Sequence, residues 1–258
     1  MAEQSRRPDL IPLAGLWAVL ASLAVISWIH TVRGADGMEY MLGSMGMGAL
    51  QFTWMWTVMM AAMMLPAVLP VATLYVRILG RHTHGLMRVS RTLALVSGYL
   101  CVWGALGLLA FGFAEFISRI METSVETLLW VTGAVLFLGG AYELSPLKDR
   151  CLTHCRSPLD LLMRFGGYSG RMRDFQAGLY HAAFCVGCCA GLMLVMLMVG
   201  VMNVIWMGVL TVVILIQKYW RHGRAFARCF GAALMLTGIA VPMRPELLDL
   251  LYMGSALR

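Results

Sequence analysis

Residues 181–189 read HAAFCVGCC, three cysteines and a histidine crowded into an otherwise apolar stretch. At about 100° per residue on a helix, His181, Cys185, Cys188 and Cys189 share one face within an arc of roughly 100°. Thiolates and imidazole are soft to borderline metal ligands, and a face that collects them offers a partial coordination set. A buried cysteine is also a small hydrophobe that packs well. Packing, metal ligation and thiol redox chemistry are therefore the three readings of this stripe. C-x-x-C-C is not a standard zinc spacing. A tetrahedral site here would need ligands from other helices, and thiolate charge in mid-membrane would require a cation.

The remaining sulfur is unevenly spread among seven cysteines and 22 methionines. WMWTVMMAAMMLPAVLP places Met55, Met59 and Met63 on one helical stripe and Met60 and Met64 on the adjoining one. Met38, Met41, Met45 and Met47 fill a glycine-rich segment at 34–51, and Met193, Met196, Met198, Met202 and Met207 follow the cysteine stripe. Methionine ordinarily fills gaps in apolar cores. Thioether on one side and thiol on the other is also what a soft monovalent ion, Cu(I), would need.

A second cluster, Cys151-Leu-Thr-His154-Cys155, reads as a cytoplasmic loop, with exposed reduced thiols or a metal-exchange site as its two meanings. His82 and His84 in RHTHG read as solvated loop residues. Glu143 stands inside a span, where acids are functional candidates by default, unless Lys148 or Lys218 pairs with it. Gln217 sits at matching depth.

The elements that must position these residues follow from composition. Of 258 residues, 60% are hydrophobic and 13% charged, with a mean hydropathy of +0.77. A soluble domain carries about 25% charged residues. The chain reads as all-α, one polytopic transmembrane domain over residues 1–258. Spans are expected near 10–32, 52–76, 92–116, 128–147, 177–200, 203–219 and 226–243, about seven transmembrane helices.

All Lys and Arg except Arg33, Arg119, Arg244 and Arg258 fall at the N-terminus or in alternate loops. Positive loops stay in the cytoplasm, so the N-terminus is expected inside a bacterial inner membrane. The net charge of +7 is then orientation against anionic lipid headgroups, with no call on nucleic acid. The segment near Pro158–Phe165 reads as a short amphipathic stretch on that surface. Pro66 and Pro70 break the hydrogen-bond ladder of the second span, as a kink or beside a cavity. Gly187 and Gly191 form a G-x-x-x-G pair straddling the cysteines, which predicts close approach of a neighbouring helix.

MWTVMMAAMMLPAVLP, GAYELSPLKDRCLTHCRSP and GLYHAAFCVGCCAGLMLVMLMVGVMNVIWM together resemble an uncharacterised bacterial family of predicted metal-binding integral membrane proteins, over about residues 50–230. The resemblance implies a helical membrane protein with metal affinity. It also implies Gln where this chain has Glu143 and Glu where it has Gln217, so those two side chains are expected to be hydrogen-bonding partners. An aromatic residue would follow Cys189 where Ala190 stands here.

These residues lead to Cu(I) binding or movement through a Met/Cys/His-lined intramembrane site, with zinc the lesser candidate because thiolates also take Zn(II). The alternatives are a copper-binding subunit or assembly factor of a membrane enzyme complex, a membrane thiol redox protein, and a scaffold without metal. A metallochaperone or membrane enzyme is the expected protein partner. No catalytic set stands out, and the chain has no P-loop.

Overall fold

A computed structural model describes residues 10–35, 43–44, 46–79, 86–121, 124–156, 172–247 and 251. Among them the chain is helical, with no strand: α1 Leu10–Ala35, α2 Ala49–Leu79, α3 Leu86–Met121, α4 Val125–Glu143, α5 Pro146–Arg156, α6 Arg173–Val199, α7 Val204–Tyr219 and α8 Gly223–Met243. Met38, Met41, Met45, His82, His84 and the stretch near Pro158–Phe165 lie outside the described residues.

Among the described residues five helices are long and apolar enough to cross a membrane: α1, α2, α3, α6 and α8. The segment expected as a fourth span, 128–147, runs along α4 into the start of α5, and the two helices meet at 59°; taken together they are a sixth candidate span. α7, at 16 residues, is apolar but shorter.

The bend is written locally. Leu144 closes α4 by donating its N–H to the Ala141 and Tyr142 carbonyls. Ser145 then caps α5, its Oγ accepting the Lys148 N–H at 3.2 Å. Pro146 takes the first helical position, where its missing N–H costs nothing and where it cannot extend α4.

α2 runs unbroken through Pro66 and Pro70. Each proline lacks an N–H and so frees the carbonyl four residues earlier. Trp28 Nε1 of α1 donates to the freed Ala62 carbonyl at 3.1 Å. The Tyr219 hydroxyl of α7 donates to the freed Pro66 carbonyl at 2.8 Å. The interruption is thus repaired by neighbouring helices, the arrangement an apolar surrounding demands.

Glycines set the closest helix contacts. A Cβ on Gly140 of α4 would lie 2.5 Å from the Gly231 carbonyl of α8, and one on Gly133 2.6 Å from the Gly238 carbonyl. Gly98 of α3 sits even more tightly against the Phe175 carbonyl of α6, and Gly178 of α6 against the Leu95 carbonyl of α3. Gly191 approaches Gly139 of α4, and Gly187 leaves room for the Cys151 sulfur, so the predicted close approach falls on both α4 and α5. Small residues let backbones meet and hold helices by contact rather than by hydrophobic expulsion.

Candidate metal centre

Cys185, Cys188 and Cys189 are fully buried on α6, at its middle. α6 packs chiefly on α3, then on α5 and α4, so its cysteine stripe faces the interior. The fourth sulfur comes from an unexpected direction. α5 is a helix, not a loop, and its buried residues Lys148, Leu152 and Cys155 recur at i, i+4 and i+7 on one face. That face brings Cys155 inward until the sulfurs of Cys155, Cys185 and Cys188 all lie within 4.8 Å of one another. Cys189 Sγ stands 3.5 Å from Cys188 Sγ. The two cysteine clusters of the sequence are therefore joined in one buried site.

Two further groups complete it. Lys218 Nζ, at the end of α7, donates to Cys185 Sγ at 3.0 Å. The Tyr99 hydroxyl of α3 is also 3.0 Å from that sulfur. Both side chains are buried, Lys218 at 6% exposure. The buried ammonium would offset negative charge on a metal-binding thiolate at this position. The sulfur of Cys188 also lies 3.1 Å from the Cys185 carbonyl within the same helix.

The other candidates are placed as follows. His181 is buried one turn before Cys185, its ring stacked on Tyr99 with centroids 5.9 Å apart. Cys151 is half-buried beside Gly187. His154 turns away from Cys155. Its ring stacks on Phe184 at 4.5 Å, and its Nδ1 lies 2.9 Å from the Arg150 carbonyl. On a helix, adjacent residues point about 100° apart, so one of the pair had to leave the site.

Met59, Met60, Met63 and Met64 are fully buried in the same core as the cysteines, with Met55 packed at its edge. α2 itself packs mainly on α1 and α3. Met193, Met196, Met198, Met202 and Met207 are buried as well, whereas Cys101 and Cys229 are exposed. Gln217 Nε2 donates to Glu143 Oε2 at 2.8 Å, and Lys148 pairs with the same carboxylate.

Sequence reasoning missed Lys218 and Tyr99 as parts of the site. A lysine inside an apolar helix was a visible signal, but it was offered to Glu143. Tyr99 carries no local signal at all.

The donor set fits a soft metal ion. Metal–sulfur bonds of about 2.3 Å put the sulfurs of a shared ion roughly 3.8 Å apart. Sulfurs within 4.8 Å reach that spacing with small side-chain adjustments. A family model, PpoB2, described as a copper chaperone, matches residues 53–241, well over half of the chain. No curated protein and no solved structure matches the chain significantly.

Proposed function

The chain belongs to the PpoB2 copper chaperone family, and from that premise we propose that it holds Cu(I) on buried thiols within a bacterial inner membrane and passes the ion on. The observation that carries this reading is the convergence of Cys155, Cys185 and Cys188 from two helices. Sulfur ligands select Cu(I) over harder ions. The Lys218 ammonium offsets thiolate charge that would be costly to bury alone.

The membrane setting rests on the five long apolar helices. It rests also on what their surfaces show: Leu109, Leu236 and Ile26 are 71%, 69% and 61% exposed. Such a surface suits lipid chains and not water. With the α4–α5 pair and α7 crossing as well, the basic segments all fall on the side of the N-terminus, which we read as the cytoplasmic face of one multi-pass domain. In that frame the α2 methionines Met55, Met59, Met60, Met63 and Met64 collect the ion from the outer side. The thiols, with His181 beside them, hold it. Half-buried Cys151 and, beyond it, His154 lie toward the cytoplasmic face, where the ion exchanges with a partner.

The word chaperone favours one alternative role within this reading. The recipient is then a membrane enzyme for which this chain acts as copper-binding subunit or assembly factor.

The test is metal content by mass spectrometry of anaerobically purified protein, beside a Cys185→Ser/Cys188→Ser/Cys189→Ser variant. Near-stoichiometric copper that is absent from the variant supports the proposal. Zinc in its place would overturn the choice of metal. Cysteines that cycle to a disulfide with no metal bound would replace it with thiol redox chemistry.

A further inference from the structure

Glu143, Lys148 and Gln217 form a second buried polar cluster, separate from the sulfurs. The Glu143 and Lys148 side chains are 0% and 1% exposed, and they form an ion pair. Gln217 joins both: its Oε1 accepts from Lys148 Nζ at 2.8 Å, and its Nε2 donates to Glu143 Oε2 at 2.8 Å. The three residues come from three elements. Glu143 is the last residue of α4, Lys148 stands in the first turn of α5, and Gln217 lies near the end of α7. The cluster therefore bridges the α4–α5 bend and fastens both of its arms to α7.

We propose that Glu143, Lys148 and Gln217 are positioning residues for the metal site, a latch that holds α5 in the one rotation that presents Cys155 to Cys185 and Cys188. The proposal rests on the reading of those cysteines as a copper site and assigns the groups that assemble it. Lys148 and Cys155 share the inner face of α5, two turns apart, or about 10 Å along the axis. An 11-residue helix is too short to hold itself in place, and its orientation must come from contacts. Turning α5 far enough to free Lys148 carries Cys155 away from the other sulfurs. Gln217 also precedes Lys218, which bonds Cys185. Adjacent residues of one helix thus secure both halves of the site.

Retaining an ion pair in an apolar interior is a poor route to stability, since well-packed apolar residues often do as well. Its better-attested use is to specify one arrangement among several. The Glu143 carboxylate fits that use. Its Oε2 takes both bonds, while Oε1 has no hydrogen-bond partner among the described residues. The pair is also chemically reversible. Lys148 meets an oxygen of residue 143 and an oxygen of residue 217. Exchanging carboxylate and amide between those positions preserves the charge and keeps Lys148 between two oxygens, provided the residue 143 amide turns so that its oxygen meets Lys148 and its Nε2 meets the residue 217 carboxylate.

The experiment is site-resolved maleimide labelling, read by peptide mass spectrometry on metal-free full-length protein in lipid nanodiscs. The proteins are wild type, Glu143→Gln, and the exchange variant Glu143→Gln/Gln217→Glu. Copper content of the wild type is measured separately, so failure of the copper reading is distinguished from failure of the latch. Labelling of a buried thiol tracks its opened fraction. In Glu143→Gln the Cys155 rate rises about tenfold or more, the change that ~1.4 kcal/mol makes in an opening equilibrium. Cys185, Cys188 and Cys189 stay protected, which separates release of α5 from loosening of the whole bundle.

In the exchange variant Cys155 returns to wild-type protection. Unchanged Cys155 labelling in Glu143→Gln overturns the proposal. So does equal exposure of all four cysteines. Should Glu143→Gln fail to fold, the exchange variant decides alone: folded with Cys155 protected supports the latch, and folded with Cys155 exposed, or unfolded, overturns it.

Discussion

Sulfur gathers in two regions of the bundle, the methionine-bearing α2 and the cysteine cluster between α5, α6 and α7. In α2 the hydrogen bonds that arrive from other helices land on the backbone, at the Ala62 and Pro66 carbonyls freed by two prolines. The thioethers of Met59, Met60, Met63 and Met64 fill the core behind them. In the cysteine region the bonds from other helices meet sulfur itself: Lys218 donates to Cys185, and the Tyr99 hydroxyl shares a hydrogen bond with it. A thioether carries no charge to compensate and needs only space, so no polar group is drawn to the α2 sulfurs, and α2 is tied through its freed carbonyls and through the Tyr75 hydroxyl, which donates to Asp174 of α6. A thiolate in an apolar interior needs a cation and donors, so the cysteine site drags polar side chains inward from two neighbouring helices. Polar convergence, and not sulfur content, is what sets the proposed ion site apart from the α2 methionines.

The sharpest way to break that contrast is to remove one sulfur from each region. Cys188→Ser deletes a member of the three-sulfur group. Its Cu(I) affinity is expected to fall a hundredfold or more, roughly 2.7 kcal/mol, in a competition titration against a Cu(I) chelator. Met63→Leu conserves volume, and equilibrium affinity is expected to stay within about threefold while loading from outside slows. Equal losses in both variants would place the methionine in the same site and erase the distinction.

A second effect acts on the scaffold that both regions share. Gly178 of α6 sits against the Leu95 carbonyl of α3 with no room for a Cβ. Gly178→Ala must push α3 and α6 apart, and with them Tyr99 from Cys185. Overpacking of this kind costs about 1–3 kcal/mol, read as a lower Tm in nanodiscs with weaker copper binding. Gly15→Ala in α1 meets open space and is expected to leave both unchanged. A Gly178→Ala protein as stable as wild type would show that the α3–α6 contact does not set the site.

How much of this was legible beforehand depends on distance along the chain. The shared face of His181, Cys185, Cys188 and Cys189 follows from helical spacing, and all four are buried in the structure. The all-helical architecture follows from composition. Cys155 was not legible as their partner, because the residues after 147 read as loop. The usable signal was Ser145-Pro146, a helix start, followed by Lys148, Leu152 and Cys155 on one stripe. Lys218 was visible but misdirected. Gln217 and Lys218 point about 100° apart on α7, so only one of them can serve Glu143, and the other is left for Cys185. Tyr99 lies 86 residues from Cys185, and nothing local announces a contact that tertiary packing creates.

The role of charge gives the next test. Lys218→Met keeps much of the side-chain volume and removes the ammonium beside Cys185. All sulfurs remain, so copper is still bound, but affinity is expected to fall about tenfold, ~1.4 kcal/mol. That places the loss between Cys188→Ser and Met63→Leu. Unchanged affinity would mean that the sulfurs alone suffice and that Lys218 serves α7 rather than the ion.

The smallest effect tests which side of α5 matters. On the outer side Arg228 Nη2 donates to Asp149 Oδ2 at 2.8 Å, Arg224 reaches Thr153, and Arg156 reaches the Trp220 carbonyl. The Arg228 side chain is 58% exposed. Exposed pairs of this kind contribute about 0–1 kcal/mol and weaken with salt. Arg228→Ala is therefore expected to shift Tm little and to leave Cys155 labelling within about twofold of wild type. The buried cluster on the opposite side holds one ion pair, as Arg228 and Asp149 do, but with no water to screen it. If Arg228→Ala exposed Cys155 as much as Glu143→Gln, α5 would be held from outside, and the metal site would be open to control by ionic strength.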